Sequence, residues 1–231
     1  MTTPSATDVA LRVVPRPTTI MIAIAAITLI CALGAWVALD GGRPFSVDSA
    51  WHAFVGAAPD TAGYAIAVTL ATIGSAVGVS ACVGIAAVWL FMTGNRLDAI
   101  ALVATAALGV ACSELLKLLV ARPRPVDALL EPPGFSYPSG HAMGAAVLAT
   151  ALALTVLARS RSKRLRPWST VAAMLWVAAM MWSRTALHVH WLSDTVAGAL
   201  LGWSVAVLVR ASVCAIAART RGESSSGLRE R

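Results

Sequence analysis

Long apolar stretches separated by short polar breaks set the pattern of this chain. A helix crossing the hydrocarbon core of a bilayer needs about 20 mostly apolar residues. Runs near that length occur at 18–39, 74–92, 97–120, 140–157, 169–183 and 194–217. The breaks carry turn and stop residues. Asp40-Gly41-Gly42-Arg43-Pro44 follows the first run, Gly94-Asn95-Arg96 the second, and Arg122-Pro123-Arg124-Pro125 the third, where proline cannot continue a helix. Residues 61–92 are apolar for longer than one simple span requires. The preferred division assigns 61–73 to interfacial structure and 74–92 to the second span, with one long tilted helix as the alternative. Residues 46–55 have a Ser start and a helix-like apolar face, which predicts an interfacial helix. The expected architecture is all-α: a six-span transmembrane bundle over 18–218, with an interfacial helical segment between spans 1 and 2.

Composition agrees with that pattern. Of 231 residues, 58% are hydrophobic and 13% charged, and mean hydropathy is +0.76. Soluble domains run roughly 45–50% apolar and about 25% charged. The first run is too long for the apolar part of a signal peptide, and no small-residue cleavage site follows, so an uncleaved first span is expected. The net charge of +7 is explained by its placement. Arg12, Arg16, Arg96, the cluster Arg159, Arg161, Lys163, Arg164 and Arg166, and the basic C-terminal tail all fall on one side of a six-span chain. That asymmetry puts both termini in the cytoplasm, with residues 1–17 and 219–231 as tails, the latter disordered. It removes the reason to expect a nucleic-acid partner. Trp36, Trp168, Trp182 and Trp191 fall near span ends, as interfacial aromatics do. Gly198 and Gly202 have the spacing of a helix-packing contact. Cys31, Cys82, Cys112 and Cys214 lie inside apolar runs without ligand spacing and are expected as core thiols.

The outer ends of these spans collect the chemistry. Pro138-Ser139-Gly140-His141 stands where a polar loop becomes the first turn of an apolar helix. Free N–H groups and the helix dipole favour an anion there, Gly140 lets it approach the backbone, and Ser139 adds a donor. Lys117 and Arg124 sit at the end of the third run. Ser183-Arg184 ends the fifth, and His190 and Asp194 follow at helical spacing. Alone, each has an ordinary explanation: a snorkelling cation, a Ser cap, an Asp cap. Together, Lys117, Arg124 and Arg184 supply three positive charges to a tetrahedral dianion. His190 becomes a nucleophile steadied by Asp194, and His141 a proton donor and base. His188 fits the pairing with Asp194 less well and is expected to pack behind the site. No carboxylate cluster indicates a metal, and no cofactor is expected.

The three blocks, Lys117…Arg124-Pro125, Pro138-Ser139-Gly140-His141 and Ser183-Arg184…His190…Asp194, match without substitution the K-x6-R-P, P-S-G-H and S-R-x5-H-x3-D pattern. The chain therefore resembles the type 2 phosphatidic acid phosphatase superfamily, which includes membrane lipid phosphatases and the vanadium haloperoxidases. Arg122-Pro123 also forms an Arg-Pro pair, but the family spacing selects Arg124. The resemblance implies catalytic roles for His190, His141 and Asp194, and phosphate binding by Lys117, Arg124, Ser139, Gly140 and Arg184. It implies a membrane phosphatase acting on a phospholipid or polyprenyl phosphate, such as phosphatidate, phosphatidylglycerol phosphate or a polyprenyl diphosphate, at the outer face of the cell membrane. A phosphohistidine intermediate is expected. A lipid phosphotransferase would use the same residues. A lipid transporter or flippase would need the cations but not two histidines and a carboxylate in hydrolytic order.

Overall fold

The computed structural model describes residues 14–159, 162 and 164–226, with the side chains of 159 and 220–226 left aside. Within them the chain forms eight helices and no strand: α1 (Pro17–Leu39), α2 (Ser46–Phe54), α3 (Ala62–Ile73), α4 (Ala76–Met92), α5 (Arg96–Val120), α6 (Gly140–Arg159), α7 (Leu165–Ala186) and α8 (Leu192–Ser226). Each of the six apolar runs forms a helix close to its expected bounds, and a short helix covers 46–54. Residues 219–226, expected to be without structure, continue α8; 1–13 and 227–231 lie outside the described residues.

The break inside residues 61–92 falls at Gly74-Ser75. Gly74 ends α3, and the Ser75 hydroxyl accepts from the Gly78 N–H at 3.2 Å, so a new helix is capped one residue later. The two helices meet at 54°, which replaces the single tilted helix with a bent pair. α1, α5, α6 and α8 are each long and apolar enough to cross a membrane, and the bent pair makes a fifth candidate. α7 has 22 residues but does not meet that measure, because Arg166, Pro167, Ser169 and Arg184 interrupt it.

α6 and α8 form the centre of the bundle, with α1, α5 and α7 packed around them. Small residues bring the two central helices together. A Cβ at Gly198 would collide with the Ser139 carbonyl oxygen, and one at Gly202 with that of Met143. The expected packing pair therefore holds the first turn of α6 against α8. Met143, Val147, Ala197, Leu201 and Val205 are buried along this seam. The outer faces stay apolar. Met21, Ile85, Leu118, Leu119 and Met174 are each more than 60% exposed, as expected where the solvent is hydrocarbon rather than water.

Candidate active site

Three chain segments meet at the end of the bundle where α5 stops and α6 and α8 begin. Ala121, in a left-handed conformation at φ 50°, turns the chain out of α5. The following loop is fastened to its neighbours by backbone bonds: Ser136 N–H to the Arg122 carbonyl at 2.9 Å, Leu129 N–H to Leu187 at 3.0 Å, and Ser139 N–H to the Asp194 carbonyl at 2.9 Å. α6 starts directly from that last contact. Its opening turn is thus placed by main-chain bonding as well as by the glycine seam.

His190 lies in the turn between α7 and α8 and is buried. Its Nε2 stands 3.2 Å from Arg124 Nη1. A guanidinium only donates, so Nε2 accepts and carries the lone pair. The hydrogen is then on Nδ1, which faces Ser136 Oγ at 3.3 Å and Asp194 Oδ2 at 3.7 Å. Ser136 in turn donates to Asp194 Oδ2 at 2.5 Å. The His–Asp pairing expected from helical spacing is therefore completed through a serine hydroxyl. Burial, opposed by the Asp194 hydrogen bond and charge, pushes the His190 imidazole down to a pKa of about 4 and keeps the ring neutral.

Asp194 accepts two further hydrogen bonds besides the one from Ser136. Oδ2 also takes the Trp191 N–H at 2.9 Å, capping α8, and Oδ1 takes Arg122 Nη1 at 2.6 Å. Arg122 is fully buried and reaches further, to Asp48 Oδ2 at 2.8 Å, Ser193 Oγ at 2.8 Å and the carbonyls of Gly42 and Arg43. Asp48 accepts the Ser193 N–H and hydroxyl as well. Sequence reasoning missed Ser136, Arg122 and Asp48 as parts of this network. Ser136 lies in the polar loop before Pro138 and carries no pattern of its own, and Arg122 competes with Arg124 for one role when the two have different ones.

Arg124 is held by the carbonyls of Pro133, Gly134, Phe135 and Val189 at 2.8–3.2 Å, which aim it at His190. Desolvation lowers its pKa, and the Asp194 charge opposes this. Arg184 is 2% exposed, and its Nε has no partner among the described residues. The same is true of Ser139 Oγ, which is fully buried. Two orphaned donors in a dry setting cost free energy unless something accepts from them, about 1–3 kcal/mol each. Lys117 comes near Gly140, with its Nζ 3.4 Å from where a Cβ there would stand, but its ammonium is paired with Glu114 at 2.6 Å. His141, on the first turn of α6, has Nε2 3.2 Å from the Ala71 carbonyl and lies within electrostatic reach of Arg184, His190 and Lys117. All eight residues singled out by the sequence pattern thus gather at one end of the bundle. His188 does not pack against Asp194; it faces Asp127.

A family model described as the PAP2 superfamily matches residues 98–216, a range that contains all eight. Two solved structures share the fold. One is the first transmembrane PAP2 type phosphatidylglycerolphosphate phosphatase from Bacillus subtilis, at TM-score 0.71 and 20% identity, covering 81% of this chain and 94% of that one. The other is LpxE of Aquifex aeolicus, at TM-score 0.58 and 20% identity, covering 71% of this chain and 95% of that one. No curated protein matches the chain.

Proposed function

The chain belongs to the PAP2 superfamily, and from that membership we propose that it is a membrane phosphatase that hydrolyses a lipid phosphate or pyrophosphate through a phosphohistidine. The two proteins of like fold are described as a phosphatidylglycerolphosphate phosphatase and LpxE, and the first of these is consistent with a lipid phosphate substrate. The observation that carries the reading is a neutral His190 whose bare Nε2 stands 3.2 Å from Arg124, at the end of the bundle where two buried donors, Arg184 Nε and Ser139 Oγ, have no partner among the described residues.

In this reading the phosphoryl group is held by Arg124, Arg184, Ser139 and the Gly140 N–H, with Lys117 exchanging Glu114 for a phosphate oxygen. His190 Nε2 attacks phosphorus in line, forming a P–N bond as the bond to the lipid oxygen breaks. His141 gives its proton to that leaving oxygen. Water then attacks the phosphohistidine, His141 takes its proton, and the P–N bond breaks to free phosphate and His190. Asp194, through Ser136, holds the Nδ1 proton and so keeps Nε2 the nucleophile. As charge builds on the equatorial oxygens, each aimed donor is worth about 2.7–4 kcal/mol of barrier.

We further read α7 as a membrane span beside the five candidates, which gives six. The positive side then faces the cytoplasm with both termini, and the site lies at headgroup depth on the outer face, where a lipid can present its phosphate without leaving the bilayer. Phosphate release from a panel of phosphatidate, phosphatidylglycerol phosphate and polyprenyl diphosphate, measured in detergent with chelator for wild type and His190→Ala, tests the proposal. Undiminished release by His190→Ala would remove it.

A further inference from the structure

Next to the phosphate pocket, but outside it, three ligand-type atoms converge. His52 Nε2, on α2, stands 3.0 Å from Asp127 Oδ2. His188 Nδ1, in the α7–α8 turn, stands 2.8 Å from the same oxygen. The two imidazole rings stack at 3.9 Å and 33°. All three atoms lie within 4.8 Å of one another.

Hydrogen counting makes this cluster unusual. His188 Nε2 is 2.7 Å from the Val55 carbonyl oxygen, which can only accept, so the ring hydrogen is on Nε2. Nδ1 is then a bare lone pair aimed at a carboxylate. Two acceptors at 2.8 Å repel unless a cation lies between them. A second proton would make His188 a cation stacked on its neighbour ring. A metal ion would instead use both lone pairs and take a third from His52. The Nε2–H bond to a backbone carbonyl is also the usual outer support of a metal-bound histidine, fixing tautomer and ring direction. The backbone contributes too: His188 sits at φ 53°, a left-handed conformation costly for a side-chain-bearing residue, held by its N–H on the Thr185 carbonyl.

We propose that His52, Asp127 and His188 bind one zinc-class divalent ion, which fastens the loop bearing Arg124 to the turn bearing His190. Two imidazole nitrogens with one carboxylate oxygen suit zinc and its neighbours, not magnesium or calcium. Ligand atoms around a tetrahedral zinc are roughly 3.3 Å apart for bonds of about 2.0 Å, so the two His–Asp127 separations need only open by a few tenths of an ångström. Asp127, with its side chain 53% exposed, is free to make that move. His52 and Asp127 line an open cavity of about 620 Å³ beside Arg43, Arg124 and Trp191, which gives an ion access and leaves its remaining positions to water. The ion is structural: Asp127 is three residues from Arg124 and His188 two from His190, while the phosphoryl chemistry stays with His190.

The test uses the full chain in detergent micelles, stripped with chelator and then titrated with cobalt(II) as a spectroscopic stand-in for zinc. The expected result is one ion per chain, with visible ligand-field bands that zinc displaces, and a thermal midpoint raised by zinc. Asp127→Asn and His52→Gln should each lose the bands and the shift while keeping wild-type helical content. His190→Ala should keep both, so that failure of the phosphatase reading leaves this one standing. Absence of stoichiometric binding to wild type, binding unchanged in both ligand variants, or bands lost in His190→Ala would overturn it.

Discussion

Asp98 on α5 pairs with Arg210 on α8, and Asp194 pairs with Arg122 about 24 Å away along α8. Both pairs are buried; the first joins two helices, and the second joins the loop after α5 to the first turn of α8. Their surroundings differ. The Thr105 and Thr155 hydroxyls beside Asp98 and Arg210 turn back to carbonyls of their own helices, and a cavity of about 20 Å³ leaves room for roughly one water. At the Asp194 end the carboxylate continues through Ser136 to the His190 ring, and two donors at that end, Arg184 Nε and Ser139 Oγ, have no acceptor among the described residues. Burial of charge in an apolar bundle thus marks either end equally. Unpartnered hydroxyls also occur at Ser113 and Ser204, so it is the unpartnered guanidinium nitrogen of Arg184, a cationic donor, that distinguishes a place built for an anion from a place built to hold helices.

The sharpest way to break this contrast is at the proposed nucleophile. His190→Ala should lower phosphate release by roughly 10⁴–10⁶-fold with the bundle still folded, as loss of a nucleophile does elsewhere; an assay alongside circular dichroism decides it. The opposite end should respond in stability instead. Arg210→Met leaves Asp98 as a buried, uncompensated charge and should cost about 3–5 kcal/mol, whereas adding Asp98→Leu should recover most of it. Denaturant titration of the single and double variants measures this, and the double variant should keep its turnover.

Arg184→Met should lower turnover by about 10²–10³-fold, the usual cost of one donor to a charge-developing transition state. Because Nε of Arg184 has no partner to abandon, its stability should change little or rise, which separates it from Arg210. The pH dependence of stability follows from His190. Its folded pKa of about 4 lies below the ordinary 6.5, so on acidification the unfolded chain takes up a proton that the folded chain refuses. Stability attributable to the neutral ring is present above about pH 6.5 and is lost as pH falls toward 4. The thermal midpoint should drop over that window more in wild type than in His190→Gln. Ser136→Ala should have the smallest effect, about tenfold in turnover for one lost hydrogen bond, because Asp194 is still 3.7 Å from Nδ1.

Much of the fold was legible because hydrocarbon is an unforgiving solvent. A run such as 18–39 or 97–120 has few alternatives to a helix once it must satisfy its own backbone bonds. The count of spans was less so, since α7 carries arginines at its start and end, and length with apolarity alone yields four helices and a bent pair. The helical continuation through 219–226 was hidden by the polar composition of that stretch. Within the site, Lys117, Arg124, Ser139, Gly140, His141, Arg184, His190 and Asp194 were visible because the chemistry recurs at set spacings. Ser136 and Asp48 were not: a serine in a turn and an aspartate on a short helix carry no signal until a distant partner closes on them.

By itself, then, the sequence determined which stretches become helices, which polar residues lie at their ends, and which of those residues suit phosphoryl chemistry, because periodicity, apolarity and short-range spacing are local properties of a chain. Only the tertiary structure decided that Arg122 is a buried strut while Arg124, two positions on, faces His190. It also decided that a serine stands between imidazole and carboxylate, and that His52, Asp127 and His188 meet. Those outcomes depend on side chains 54 to 75 positions apart arriving at hydrogen-bonding distance, and no local pattern encodes a distance of that kind.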